Sequence, residues 1–221
     1  MIRPVLLGLA LAALAGCGSD KQSGALLKQT FTALSEGFSA NKSPAPKSAA
    51  EAGLTRAALS ASTTPLISAA IPSRDAFALL QPFHSSGDVQ TWVTGDASSI
   101  SLRQGVVIAT RGLGPDLMSA SVPSLATLAT GGGTHQRMFT LLDGADQPQR
   151  LEYSCKVTSI TPESTIVVGL ASATRHIVEE CRGSGPAFTN HFWVEIGGKV
   201  RKSRQWIGQN IAYVDIEQLV D

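Results

Sequence analysis

The chain has 221 residues, and its 18 Lys and Arg nearly balance its 17 Asp and Glu for a net charge of +1. That balance excludes a polybasic binder of nucleic acid or of a membrane surface. With 43% hydrophobic residues there is apolar material for one good-sized core, but aromatics are sparse at 5%.

Arg3 is the first charge, and Asp20 is the next. Between them Val5 to Ala13 is apolar throughout. This run is too short to span a bilayer, which takes roughly 20 residues. A positive start, a short apolar stretch and small residues after it are the pattern of a secretory leader. Leu14-Ala15-Gly16-Cys17 then matches the lipobox of bacterial lipoproteins. The expectation is that residues 1–16 are removed and that Cys17 takes the lipid on its sulfur. A stable anchor needs more than one acyl chain, and lipoproteins carry several. Gly18 stands where an Asp favours retention in the inner membrane. The expected location is therefore the outer membrane, lipid-anchored and facing the periplasm. With Arg3 removed, the acidic and basic residues of the remaining chain are equal in number.

Residues 17–49 read as a tether. Leu27, Phe31, Leu34 and Phe38 recur at spacings of four, three and four, with polar residues between them. This is an amphipathic helix. Ser39 to Ala50 is rich in Ser, Ala, Pro and Lys and reads as a linker. Residues 50–61 are Ala-rich and predict a second helix at the start of a single domain spanning 50–221.

From Pro65 the texture changes to short apolar runs separated by turn residues. The predicted strands are 65–71, 76–83, 89–94, 99–103 and 105–110. After an irregular stretch follow 136–142, 150–159, 164–171, 173–182, 188–196, 199–206 and 211–216. Breaks fall at Gly87-Asp88, Gly95-Asp96, Gly131-Gly132-Gly133, Asp143-Gly144, Gly183-Ser184-Gly185 and Gly197-Gly198. This pattern argues for an all-β sheet, sandwich or barrel. Cys155 and Cys181 are exported with the chain, and in an oxidising compartment such a pair predicts a disulfide. The strand assignment puts a third strand between them, so bridging them requires the sheet to bend there.

The clearest hairpin is 188–206. A two-residue turn at Gly197-Gly198 pairs Trp193 with Lys202 and His191 with Arg204. One face then carries His191, Trp193, Glu195, Val200, Lys202, Arg204 and Trp206. Trp193, Lys202, Arg204 and Trp206 are the candidate surface for a partner or a glycan. The competing account is a surface hairpin whose tryptophans pack under basic stems.

Catalytic motifs are wanting. The four histidines, His84, His135, His176 and His191, show no metal-ligand spacing, and His176 with Glu179 and Glu180 is a weak cluster. No nucleophile elbow or phosphate loop occurs. No catalytic residue, metal or cofactor is assigned. Arg111-Gly112-Leu113-Gly114-Pro115-Asp116 predicts a defined turn at a strand end, in which Arg111 and Asp116 can pair.

The residues together resemble a known family. The lipobox, Asp88-Val89-Gln90-Thr91-Trp92, Arg103 to Gly114 with Asp116-Leu117-Met118, Asn190-His191-Phe192-Trp193 and Lys202 to Gly208 are similar to motifs of the YjbF/GfcB lipoproteins of capsule and exopolysaccharide systems. Cys155 and Cys181 fall where that family's cysteines do. The resemblance covers roughly residues 50–221. It implies an antiparallel meander curled into a barrel-like or half-barrel sheet with N-terminal helices. It also implies a non-enzymatic accessory role in polysaccharide assembly or export. The partners implied are an outer-membrane β-barrel and periplasmic export proteins, with the polysaccharide itself as a further candidate. The alternative is a periplasmic polysaccharide-modifying enzyme, which needs two facing carboxylates about 5–9.5 Å apart.

Overall fold

The computed structural model describes residues 44–221 apart from 143, 144 and 146. The leader, Cys17, the Leu27 to Phe38 stripe and the Asp143-Gly144 turn lie outside the described residues. The Ala-rich segment forms only a short helix, α1 (Arg56–Ser60), because Thr55 caps it, its hydroxyl accepting from the Ala58 amide at 3.2 Å. Residues 44–49, read as tether from their composition, lie against the barrel. The Ala49 amide donates to Glu217 Oε2 at 2.9 Å, and Ala49 is fully buried among Leu59, Leu66, Leu79 and Leu219.

The strands are β1 (Leu66–Ile71), β2 (Ala76–Ser86), β3 (Val89–Val93), β4 (Ser99–Arg103), β5 (Val106–Arg111), β6 (Leu117–Ser121), β7 (Thr134–Leu142), β8 (Pro148–Val167), β9 (Leu170–Gly183), β10 (Phe188–Glu195), β11 (Val200–Gly208) and β12 (Ala212–Val220). A second helix, α2 (Leu125–Thr130), joins β6 to β7. The sheet order is β5-β4-β3-β2-β1-β12-β11-β10-β9-β8-β7-β6, antiparallel throughout. It curls until β5 faces β6 and forms a near-complete barrel.

Three expectations change. The irregular stretch contains β6, which Leu, Met, Ser and Ala build without a β-branched residue, and α2, which Ser124 caps by accepting from the Thr127 amide. The strands expected at 150–159 and 164–171 are not separate: β8 runs unbroken through Pro162, which pairs with Arg175, and the turn into β9 comes at Val168-Gly169. Beyond Lys156, where its pairing with β7 ends, β8 has β9 as its ladder partner, and an edge tolerates a proline. Cys155 and Cys181 are therefore on neighbouring strands, directly opposite each other. Their Cα atoms are 4.1 Å apart and the disulfide is formed. It closes a separation of 26 residues. Replacing both cysteines with Ala is expected to cost about 3 kcal/mol, seen as a Tm lowered by about 6–12 °C in calorimetry.

The seam between β5 and β6 is closed by side chains. Arg111 donates to the Leu117 and Met118 carbonyls, both at 3.2 Å, and the Thr110 hydroxyl accepts from the Leu117 amide at 3.0 Å. From across the barrel, Gln205 accepts from the Val107 amide at 2.9 Å and donates to the Gly105 carbonyl at 2.8 Å. These groups stand in for strand partners, since an edge with unpaired backbone groups is costly where it is buried. The α2 helix fills one end, with Leu125 and Leu128 packed on Val106, Ile177, Phe192 and Val194.

Most of the interior is apolar: Ile67, Ala69, Ile71, Leu80, Ile100 and Val214 are all but fully buried. Among the described residues, the most deeply buried carboxylate lies within it. Glu179 is 0% exposed and accepts from His135 Nε2 at 2.6 Å, Arg137 Nε at 2.8 Å and Asn190 Nδ2 at 2.7 Å. Burial pushes its carboxyl up, but the Arg137 charge and the hydrogen bonds outweigh that and hold it at about 2.

Candidate partner-binding face

The β10–β11 hairpin keeps the expected pairs His191–Arg204 and Trp193–Lys202. Its turn is one residue longer than expected. The Gly198 amide donates to the Glu195 carbonyl, and the Glu195 amide to the Lys199 carbonyl, both at 2.9 Å. Gly198, at φ +83°, supplies the left-handed step that such a three-residue loop needs. The slip sets Val200 opposite Val194 and turns it toward the apolar cluster beneath α2, off the face where it was expected.

Trp206 is also not on that face. It is 5% exposed and stacks on Phe188, ring centroids 4.6 Å apart, with Phe139 and Tyr153 edge-on. The cause is local. The β10–β11 ladder stops at His191–Arg204, and the Trp206 amide donates instead to Asn190 Oδ1 at 2.8 Å. Trp206 is thus a core residue and leaves the candidate surface.

What remains on the outer wall is a connected ladder across five strands. From β8, Glu163 accepts from Trp193 Nε1 at 2.9 Å and lies 3.0 Å from His176 Nδ1. His176 stacks flat on Trp193 at 4.3 Å, and Lys202 Nζ sits 5.6 Å from the ring centroid. The indole is flanked by these cross-strand neighbours, which leaves little of it for sugar stacking. Arg204 lies over Tyr213 at 4.6 Å and pairs with Asp215 at 3.1 Å; Lys202 reaches Glu217 at 3.8 Å. Burial raises the Asp215 carboxyl in spite of these cations. Burial, His176 and Arg204 all hold the His191 imidazole below its ordinary value. The side chains of Lys202 and Arg204 are 38% and 43% exposed and that of Glu163 is 44% exposed, so the ladder presents both signs of charge.

The motif loop is built otherwise than expected. Arg111 does not pair with Asp116, because its guanidinium is committed to the seam. Asp116 instead organises its own loop, accepting from Thr110 Oγ1 at 2.9 Å, the Gly112 amide at 2.9 Å and the Leu113 amide at 3.1 Å. Gly112, at φ +81°, lies so close to Ser98 that an added Cβ would be 2.7 Å from its hydroxyl. Gly114 sits beneath the Arg74 guanidinium, which donates to the Leu113 carbonyl. This loop has a structural role: it ties one end of the barrel to the seam.

A family model described as group 4 capsule polysaccharide lipoprotein gfcB, YjbF, matches residues 26–219. The chain belongs to the YjbF family. The match begins upstream of the β domain and includes the Leu27 to Phe38 stripe. The crystal structure of the hypothetical lipoprotein YmcC from Escherichia coli K12 is similar in fold, with a TM-score of 0.68 and 16% identity, covering 76% of this chain and 89% of that one. No curated protein matches the chain.

Within this YjbF-family barrel, His135, Cys155 and Glu179 bring ligand-type atoms within 4.8 Å of one another. The sulfur is held in the disulfide and the carboxylate by Arg137, so the trio is not a metal site in this state. Glu163 and His176 belong to the outer ladder without any sequence signal linking them. His176 does not group with Glu179, which points inward.

Proposed function

We propose that this chain is an outer-membrane lipoprotein, anchored through Cys17 after removal of residues 1–16 and facing the periplasm. In this reading it serves capsule or exopolysaccharide assembly or export as a non-enzymatic accessory factor. The outer ladder of His191, Trp193, Lys202 and Arg204 is where periplasmic or outer-membrane export partners dock. Family membership supports the setting. The observation that carries the non-enzymatic reading is the disposition of carboxylates. The interior one, Glu179, is locked to Arg137. A cleft of about 620 Å³ between α2 and the β10–β11 turn has Asp88 as its single lining carboxylate, and Asp88 pairs with Arg103 at 3.4 Å. Neither arrangement offers the two facing carboxylates of glycan hydrolysis.

The test is extracellular polysaccharide in a strain lacking the protein, restored with the wild-type chain or with Cys17→Ser. Loss of secreted polymer that the wild type restores and Cys17→Ser does not is the expected result. Unchanged polymer amount with altered chain length would replace this reading with the modifying enzyme.

A further inference from the structure

His176 and His191 are 15 residues apart, yet the β9–β10 ladder brings His176 Nε2 to 3.0 Å from His191 Nδ1. The other nitrogen of His176, Nδ1, lies 3.0 Å from Glu163 Oε2. A carboxylate there holds the ring proton on Nδ1 and leaves the Nε2 lone pair to accept from His191 Nδ1–H, so an ion between the two rings takes the place of that shared proton, which moves to His191 Nε2. This is the arrangement by which metal-binding histidines are oriented, one nitrogen on a carboxylate and the other on the ion. The flat stack on Trp193 at 4.3 Å fixes the same ring from the side.

We propose that His176 Nε2 and His191 Nδ1 together bind a divalent transition-metal ion of the zinc class, with Glu163 as the outer carboxylate that orients His176. Tetrahedral zinc at about 2.0–2.1 Å from each nitrogen holds two ligands roughly 3.3 Å apart. The pair therefore opens by a few tenths of an ångström, and His191, which is not the ring stacked flat on Trp193, turns so that both lone pairs meet at the ion. Arg204 and Lys202, on the same face, oppose a cation, so the two imidazoles carry the affinity and water completes the coordination. The site does not depend on the export reading, since it follows from the geometry of three side chains.

The test is calorimetric titration of zinc chloride into the full-length, detergent-solubilised protein without a histidine tag. One zinc per chain is expected. His176→Gln and His191→Gln should each weaken binding at least tenfold, and Glu163→Gln by about 10–100-fold, while His84→Gln, on the exposed end of β2, leaves it unchanged. Cu²⁺ binds such ligands more tightly, and its electron paramagnetic resonance spectrum should show coupling to two nitrogens in the wild type. Absence of saturable zinc binding, zinc binding unaltered in His191→Gln, or a Cu²⁺ spectrum without two-nitrogen coupling would each overturn the proposal.

Discussion

Replacing Glu179 with Gln is expected to destabilise the protein by about 3–5 kcal/mol, the usual cost of leaving a buried charge without its partner. For a domain of this size that is a fall in Tm of about 6–20 °C. The reason lies in what is left behind. The side chain of Arg137 is 2% exposed, and its charge is matched by Glu179 alone among its described ion pairs. His135 and Asn190 lose a charged acceptor at the same time. The double replacement Glu179→Leu with Arg137→Met should recover part of the loss, because it removes both charges and fills the space with apolar atoms. The pH dependence has a definite sign. The folded carboxyl sits at about 2 against an ordinary 4.5, so its stabilisation is complete above about pH 4.5 and is lost as the pH falls toward 2. Thermal unfolding followed between pH 6 and 2 should show the wild type losing stability over that window. Glu179→Gln should lose less over the same range. Parallel curves for the two would refute the assignment.

Trp206→Ala should be as damaging, at about 3–5 kcal/mol, because it removes the ring around which Phe139, Tyr153 and Phe188 are arranged. Trp193→Ala should cost only about 1–2 kcal/mol, the sum of one hydrogen bond to Glu163 and an exposed cation–π contact. The two tryptophans thus separate stability from docking. Trp206→Ala should unfold early in denaturant. Trp193→Ala should fold normally and, if the outer ladder is the docking face, bind export partners less well in pull-down from solubilised outer membranes. Equal midpoints for the two variants would show that Trp206 is not central to the core.

Much of this was legible in the sequence because period-two alternation and turn residues are local signals. Most strands and the His191–Arg204 and Trp193–Lys202 pairs follow from them, while the disulfide follows from the export of a cysteine pair and not from the strand pattern, which set a third strand between the two. What escaped has non-local causes. Trp206 has the parity of an outward residue, and only the replacement of a strand partner by the Asn190 side chain turns it inward. Pro162 breaks a run on paper but lies on an edge in space. Leu117 to Ser121 lacks β-branched residues and becomes a strand because β7 pairs with it and Arg111 caps its edge. The outer ladder joins Glu163, His176 and His191 through the β8–β9–β10 register, which no spacing in the chain announces.

The strand order has a consequence for how the barrel is assembled during synthesis. Every ladder joins consecutive strands except one, between β1 and β12. The first strand to be made lies between β2 and a neighbour that is made last. Until β12 arrives, the chain is two separate meanders, β1 to β5 and β6 to β11, each with an open flank that should bind chaperones. The last nine or so residues therefore act as the clasp of the whole wall, and a chain truncated before Ala212 should be recognised as unfinished rather than as a smaller barrel.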